Sequence, residues 1–171
     1  MVILDDVYIA SSAYIRDYNM KIGSHVAIDH GVYSTVKMEI GDYVHISPYC
    51  SIIGGLNSKV IFENFSFISA GTRVICAGDN LNGLIGPTIP KKYRDVEETI
   101  VHFEKHAGTY SNCTIGPGST ISKGSIIAAN SYFKGVTMPW VIYGGSPAKP
   151  IGKRDQKQIE YLEGLLHEEN I

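Results

Sequence analysis

Apolar residues recur every six positions along most of this chain. From Ile22 the series runs Ile28, Ser34, Ile40, Ile46 and Ile52; from Phe62, Ile68 and Val74; and from Phe103, Thr109, Ile115, Ile121, Ile127 and Phe133. Only Ser34 and Thr109 depart from it. Two residues before each member lies a second series of small or apolar side chains: Met20, Val26, Val32, Met38, Val44, Cys50, then Val60, Ser66, Thr72, then Val101, Ala107, Cys113, Ser119, Ser125 and Ser131. A spacing of two puts both members on one face of an extended strand. A spacing of six then means a short strand, a turn, and a new strand facing the same interior. Three strands per turn make a triangular prism of about eighteen residues per coil. A helix cannot produce this pattern, because six is not close to a multiple of 3.6. A β-sandwich would space its turns at about 8–12 residues. The expected fold class is therefore all-β, a parallel β-helix of hexapeptide repeats.

Two interruptions break the register. One is short, at Gly54-Gly55-Leu56-Asn57-Ser58. The other covers about residues 76–100, where Asp, Asn, Pro, Lys and Arg accumulate, and predicts a long extruded loop. After Phe133 the chain leaves the coil through Met138-Pro139-Trp140, where Trp140 is read as a packing residue. Residues 154–171 form the C-terminal α-helix, with Ile159, Leu162, Leu165 and Leu166 on one face, expected to cap the open end of the solenoid. Residues 1–153 form the β-helix domain. Gly23, Gly41, Gly116 and Gly118 fall near corners and are expected to supply unusual backbone angles there.

The chain has 171 residues, enough for one domain. Its 15 Lys and Arg stand against 17 Asp and Glu, a balance that points to neither nucleic acid nor a membrane surface. The opening MVILDDVYIA has no basic leader and no membrane-spanning run, so a cytoplasmic location is the default expectation. Cys50, Cys76 and Cys113 share no metal-ligand spacing and read as packed thiols. The Asn64 and Asn112 sequons carry little weight without a secretory signal.

The coils, the long loop and the tail Gly144-Gly145-Ser146-Pro147-Ala148-Lys149 together resemble the hexapeptide-repeat acyltransferases. Over about residues 20–153 the chain is similar to the maltose and galactoside O-acetyltransferases and to sugar acyltransferases of polysaccharide gene clusters. The resemblance implies a left-handed helix and a homotrimer, with acetyl-CoA lying between coils of neighbouring subunits. The implied reaction is acetyl transfer to a hydroxyl of a sugar or polysaccharide precursor, with N-acetylation of a nucleotide-linked amino sugar as the alternative. No metal is expected. The γ-type carbonic anhydrases share this fold and hold zinc with three His, and here His25, His30 and His45 are the residues to compare.

Acetyl transfer to a hydroxyl needs a base near the acceptor and a donor for the developing oxyanion. In the sugar O-acetyltransferases the base is a loop His in a Gly-His-Pro-Val-His stretch. The matching stretch here is Ala77-Gly78-Asp79-Asn80-Leu81-Asn82-Gly83, which holds no His. Alignment to the family coil then makes His106 the candidate base, with Asp79 orienting it or contacting the acceptor. His45, adjacent to core Ile46 and pointing outward, is a further candidate. The resemblance assigns Ser111, Ala129, Lys134 and Lys149 to CoA, with Lys153 and Arg154 adding charge for its phosphates. Gly108 replaces a family Trp and is expected to leave room at its corner. Lys91, Lys92 and Arg94 either hold a phosphorylated acceptor or serve as solubilising charge.

Overall fold

The structure, a computed structural model, describes residues 6–16 and 20–169. The chain winds as a parallel β-solenoid with three faces. The first face stacks Val7–Ile9, Val26–Ile28, His45–Ile46, Phe67–Ile68, Gly108–Thr109, Ile126–Ile127 and Val141–Gly145, and ends on the antiparallel strand Ala148–Lys153. The second stacks Tyr14–Ile15, Tyr33–Ser34, Ser51–Ile53, Arg73–Ile75, Thr114–Ile115 and Tyr132–Phe133. The third stacks Lys21–Ile22, Lys37–Ile40, Lys59–Phe62, Ile100–Phe103 and Thr120–Ile121. The six-residue series is buried from Ile28 to Phe133, and the series two residues earlier is buried from Val26 to Ser131. Both face the prism axis, as the period requires. Phe62 and Phe103 stack inside, 4.9 Å between centroids. Most hydroxyls that interrupt the apolar series find partners, Thr72 and Thr109 bonding each other at 3.1 Å and Ser125 Oγ donating to the Val141 carbonyl at 2.6 Å, while the buried Ser66 hydroxyl has none.

Coil length follows from register. Ala27 pairs with His45 and Gly108 with Ile126, eighteen residues apart in each case. His45 to Phe67 takes twenty-two residues, and Phe67 to Gly108 takes forty-one. The extra residues are the two interruptions, and both emerge at the edge between the second and third faces. They touch: Asn57 Nδ2 donates to Glu98 Oε2 at 2.7 Å, and the Glu98 carboxylate lies where a side chain at Gly55 would stand. The longer excursion is an arm rather than an irregular loop. Ala77–Asp79 pairs antiparallel with Val96–Glu98, and Lys91–Tyr93 forms a 3-10 turn.

The edge joining the third face back to the first carries a column of rings. His25, Tyr43, Phe65, His106 and Trp140 all have left-handed backbone, with φ between 54° and 62°. Their rings stack at 4.4 Å (His25 on Tyr43), 4.8 Å (Tyr43 on Phe65) and 4.9 Å (Phe65 on His106). This corrects the expectation about corner glycines. Gly118 does have a positive φ of 72°, but Gly23 and Gly41 do not. They are needed for closeness, since a Cβ on Gly23 would stand 2.5 Å from Asp42 Oδ1. Gly108 leaves no room either, because the Phe67 ring lies 2.6 Å from where its Cβ would be.

The helix α1 (Gln156–Glu169) is present, but it does not cap the solenoid. It lies along the same ring-bearing edge, held by charged groups. Glu160 pairs with Lys123 at 2.8 Å, and Glu163 pairs with Lys105 and with His106. Of the apolar stripe, Leu162 and Leu165 stay exposed, while Ile159 and Leu166 are partly buried on the same face as Glu163. No helix among the described residues is long and apolar enough to cross a membrane.

Candidate active site

His106 occupies a rung of the ring column. It is stacked on Phe65, has Trp140 6.1 Å away on the other side, and shares a 2.9 Å hydrogen bond from Nε2 with Glu163 of α1. Its side chain is only 8% exposed. Burial holds its pKa below the usual 6.5 and outweighs the upward pull of Glu163, so at neutral pH the ring is neutral and its Nε2–H is the donor. Its backbone carbonyl accepts from Arg154 Nη1 at 2.8 Å, and the same nitrogen donates to the Gly124 carbonyl at 2.9 Å. Arg154 thereby has its Nη1 committed to two coil carbonyls. Within one protomer His106 is not brought to Asp79, which lies on the arm at a different edge.

Asp79 closes the base of the arm. Its Oδ1 accepts from Arg94 Nε at 2.9 Å and Nη2 at 2.7 Å, and its Oδ2 accepts from the Gly86 N–H at 3.1 Å. Both side chains are well covered, at 12% for Asp79 and 15% for Arg94. Arg94 is thus committed to Asp79 rather than held free for a phosphorylated acceptor, while Lys91 and Lys92 remain exposed. The hairpin explains the meeting: Asp79 is the register partner of Val96 and Asn80 N–H donates to the Asp95 carbonyl at 2.7 Å, so Arg94, two residues before Val96 in the chain, reaches Asp79 diagonally across the arm.

Three of the four residues assigned to CoA gather on one edge, where the first face turns into the second. Ser111 and Ala129 occupy equivalent corners of successive coils, joined by the Asn130 N–H to Ser111 carbonyl bond at 2.9 Å. Lys149 lies beside them on the closing hairpin, paired with Gly144. Lys134 is on the arm-bearing edge instead, with its Cβ against Gly116. His45 points outward from the first face and is about half exposed, with Nε2 2.8 Å from Asp29 Oδ2. The Asp29 partner went unread in the sequence, although the period held the signal: Ala27 is the register partner of His45, and Asp29 is two residues beyond on the same face. His25 stacks in the ring column and pairs with Asp6, and His30 sits edge-on to Tyr49 at another edge, so His25, His30 and His45 do not converge within the protomer. The three thiols are packed. Burial pushes Cys50 up to about 11 and Cys76 up to about 12, and raises Cys113.

No family model matches the chain. A dTDP-4-amino-4,6-dideoxy-D-glucose acyltransferase of Escherichia coli is 30% identical over 147 residues, which cover 83% of this chain and 76% of that protein. A putative lipopolysaccharide biosynthesis O-acetyl transferase, WbbJ, of Escherichia coli K12 is 26% identical over 126 residues, 71% of this chain and 60% of that one. Among solved structures, AntD, an N-acyltransferase from Bacillus cereus in complex with dTDP and 3-hydroxybutyryl-CoA, superposes with a TM-score of 0.89 at 33% identity. That match covers 97% of this chain and 89% of AntD. A hexapeptide-repeat acetyltransferase from Vibrio cholerae shares the fold at 18% identity, with a TM-score of 0.65 over 80% of this chain and 74% of that one. Sequence likeness across most of both chains, on a coil that superposes nearly end to end, means that this chain belongs to the hexapeptide-repeat acyltransferases.

Proposed function

We propose that the chain transfers an acetyl group from acetyl-CoA to the amino group of a nucleotide-linked amino sugar, with the Asp79 carboxylate as the base. The observation that carries this reading is the fixed carboxylate at the base of the arm, where the sugar O-acetyltransferases would have a His. AntD has been solved with dTDP-4-amino-4,6-dideoxyglucose and CoA, and its structures include substitutions at a serine and at an aspartate ten positions further on. Ser69 and Asp79 stand at that separation here. A sugar amine is a strong nucleophile once neutral, so a carboxylate that takes its proton suffices where a hydroxyl would need a stronger base. In the reaction the nitrogen attacks the thioester carbonyl, the C–N bond forms, and the C–S bond breaks. The proton leaves nitrogen for Asp79 and passes to the departing CoA sulfur.

The site on this reading is shared between subunits. Ser69, Ser111, Ala129 and Lys149 line one edge of the prism, while Asp79 and Lys134 belong to the next. A homotrimer, in which the arm of one protomer reaches the CoA-bearing edge of its neighbour, joins them. Exposed Leu81, Leu84, Ile85 and Tyr93 on the arm support such a contact. Acetyl-CoA and nucleotide sugars are cytoplasmic metabolites, so the reading places the enzyme in the cytoplasm.

The exposed His45–Asp29 pair favours a second reading, O-acetylation, because a carboxylate-oriented His is the base a hydroxyl acceptor needs. The similarity to WbbJ agrees with it. Calorimetric titration separates the two readings. The amino-sugar reading expects acetyl-CoA to bind once per chain and dTDP-4-amino-4,6-dideoxyglucose to bind the CoA complex. Acetyl-CoA binding with no heat from the amino-sugar nucleotide would remove the amine as acceptor.

A further inference from the structure

We infer that Arg94 is a positioning residue for acyl transfer: it fills one oxygen of Asp79 and thereby presents the other to the acceptor amine. This rests on the reading of Asp79 as the base.

The hydrogen-bond count carries the inference. An ionised carboxylate offers about four lone-pair positions, two on each oxygen. Arg94 takes both positions on Oδ1, with Nε at 2.9 Å and Nη2 at 2.7 Å. The Gly86 N–H takes one on Oδ2 at 3.1 Å. One position on Oδ2 is left without a partner among the described residues. The group is therefore held on three sides and open at one point, which is what a base needs in order to meet one N–H in one orientation.

Each holder is itself held. Gly86 aims its N–H from a backbone with φ 133°, which L side chains rarely adopt, so the donor depends on glycine at that position. Arg94 N–H donates to the Lys91 carbonyl at 3.0 Å, tying it to the 3-10 turn, and Leu84 N–H donates to the Tyr93 carbonyl at 3.0 Å, closing the hairpin just before it. The clamp needs a planar fork with two donors on one side. A lysine offers a single ammonium and cannot fix the rotation of the carboxylate plane in the same way. Arg94 neither gains nor loses a proton in the reaction. It sets where the proton from nitrogen lands.

The test is a double-mutant cycle on the full-length protein, with acetyl-CoA as donor and dTDP-4-amino-4,6-dideoxyglucose as acceptor. The variants are Asp79→Asn, Arg94→Met, the double variant and Arg94→Lys, each checked for an unchanged far-ultraviolet spectrum. Asp79→Asn is expected to lower kcat about 100- to 10,000-fold, the range for losing a general base. Arg94→Met is expected to lower kcat about 10- to 100-fold with little change in acceptor KM, a cost of misplacement. Added to Asp79→Asn, it is expected to change kcat by less than about 2-fold, because its partner is already gone. Arg94→Lys should recover only part of the loss, and it keeps the test alive if the Met variant folds poorly. A full additional loss from Arg94→Met in the Asp79→Asn background overturns the inference, as does a rise in acceptor KM at unchanged kcat, which would make Arg94 a binding residue. Wild-type kcat in Asp79→Asn overturns the base reading itself, an outcome distinct from either.

Discussion

His106 takes left-handed backbone between two rings and gives a polar contact to each of its neighbours, its Nε2–H to Glu163 and its carbonyl to Arg154. His106→Ala removes a stacked pair and a buried hydrogen bond, so a loss of about 2 kcal/mol is expected, read as a fall in thermal midpoint. A drop in turnover with an unchanged midpoint would instead mark His106 as the base. Gly124 shows the same column from its small side. It has φ 70°, and a Cβ would stand 2.1 Å from the Trp140 ring, so Gly124→Ala should cost about 2–4 kcal/mol in chemical denaturation. The thiols give a chemical check at this scale. With Cys50, Cys76 and Cys113 buried and their pKa values raised, none should react with a thiol reagent at pH 8 in the native protein, and all should react in denaturant.

Among the elements, α1 and the arm differ from the coils in how far the sequence revealed them. The coils were legible because burial on one face of a two-residue strand, repeated every six positions, leaves a pattern that survives even at Ser34 and Thr109. The existence of α1 was legible for the same kind of reason. Its docking was not, because Glu163 meets His106 across fifty-seven positions through a charged contact that no periodicity announces. The arm hid its order similarly: Asp79 and Arg94 meet only once the Ala77–Asp79 and Val96–Glu98 register is known. The docking of α1 should depend on pH. Burial pushes the Glu163 carboxyl up, but hydrogen bonds from Lys105, His106 and His167 outweigh it and bring it to about 2 from the usual 4.5. His106 is also lowered, by burial. For both groups the folded state resists protonation, so their contribution is complete above the ordinary His pKa. It falls as pH drops, first in the His106 range and then from 4.5 towards about 2 for Glu163. Thermal midpoints measured from pH 8 to pH 3 should decline accordingly. Glu163→Gln should flatten the lower part of that curve, and an unchanged slope would count against the Glu163 contacts as what docks α1.

For the whole molecule, the placement of candidate residues on separate edges of one prism is the main functional fact. Ser111 and Ala129 were legible as neighbours because they stand one eighteen-residue coil apart, Lys149 came from the tail motif, and the structure places all three at one edge. The sequence offered His106, His45 and Asp79 as catalytic candidates and could not rank them, because the histidines divide among edges, faces and α1 and Asp79 is positioned by a partner on the opposite strand of the arm. A solitary prism keeps the arm away from the edge that holds Ser111, Ala129 and Lys149, so on the proposed shared site a trimer is expected by light scattering at micromolar protein, and a monomer that is nonetheless active would contradict that site. The most direct measurement is release of free CoA thiol from acetyl-CoA when dTDP-4-amino-4,6-dideoxyglucose is added, with the product identified by mass. Acceptor-dependent release and an N-acetylated nucleotide sugar are expected. Release only with acceptors that lack the amine, or none with any nucleotide-linked amino sugar, would contradict that expectation.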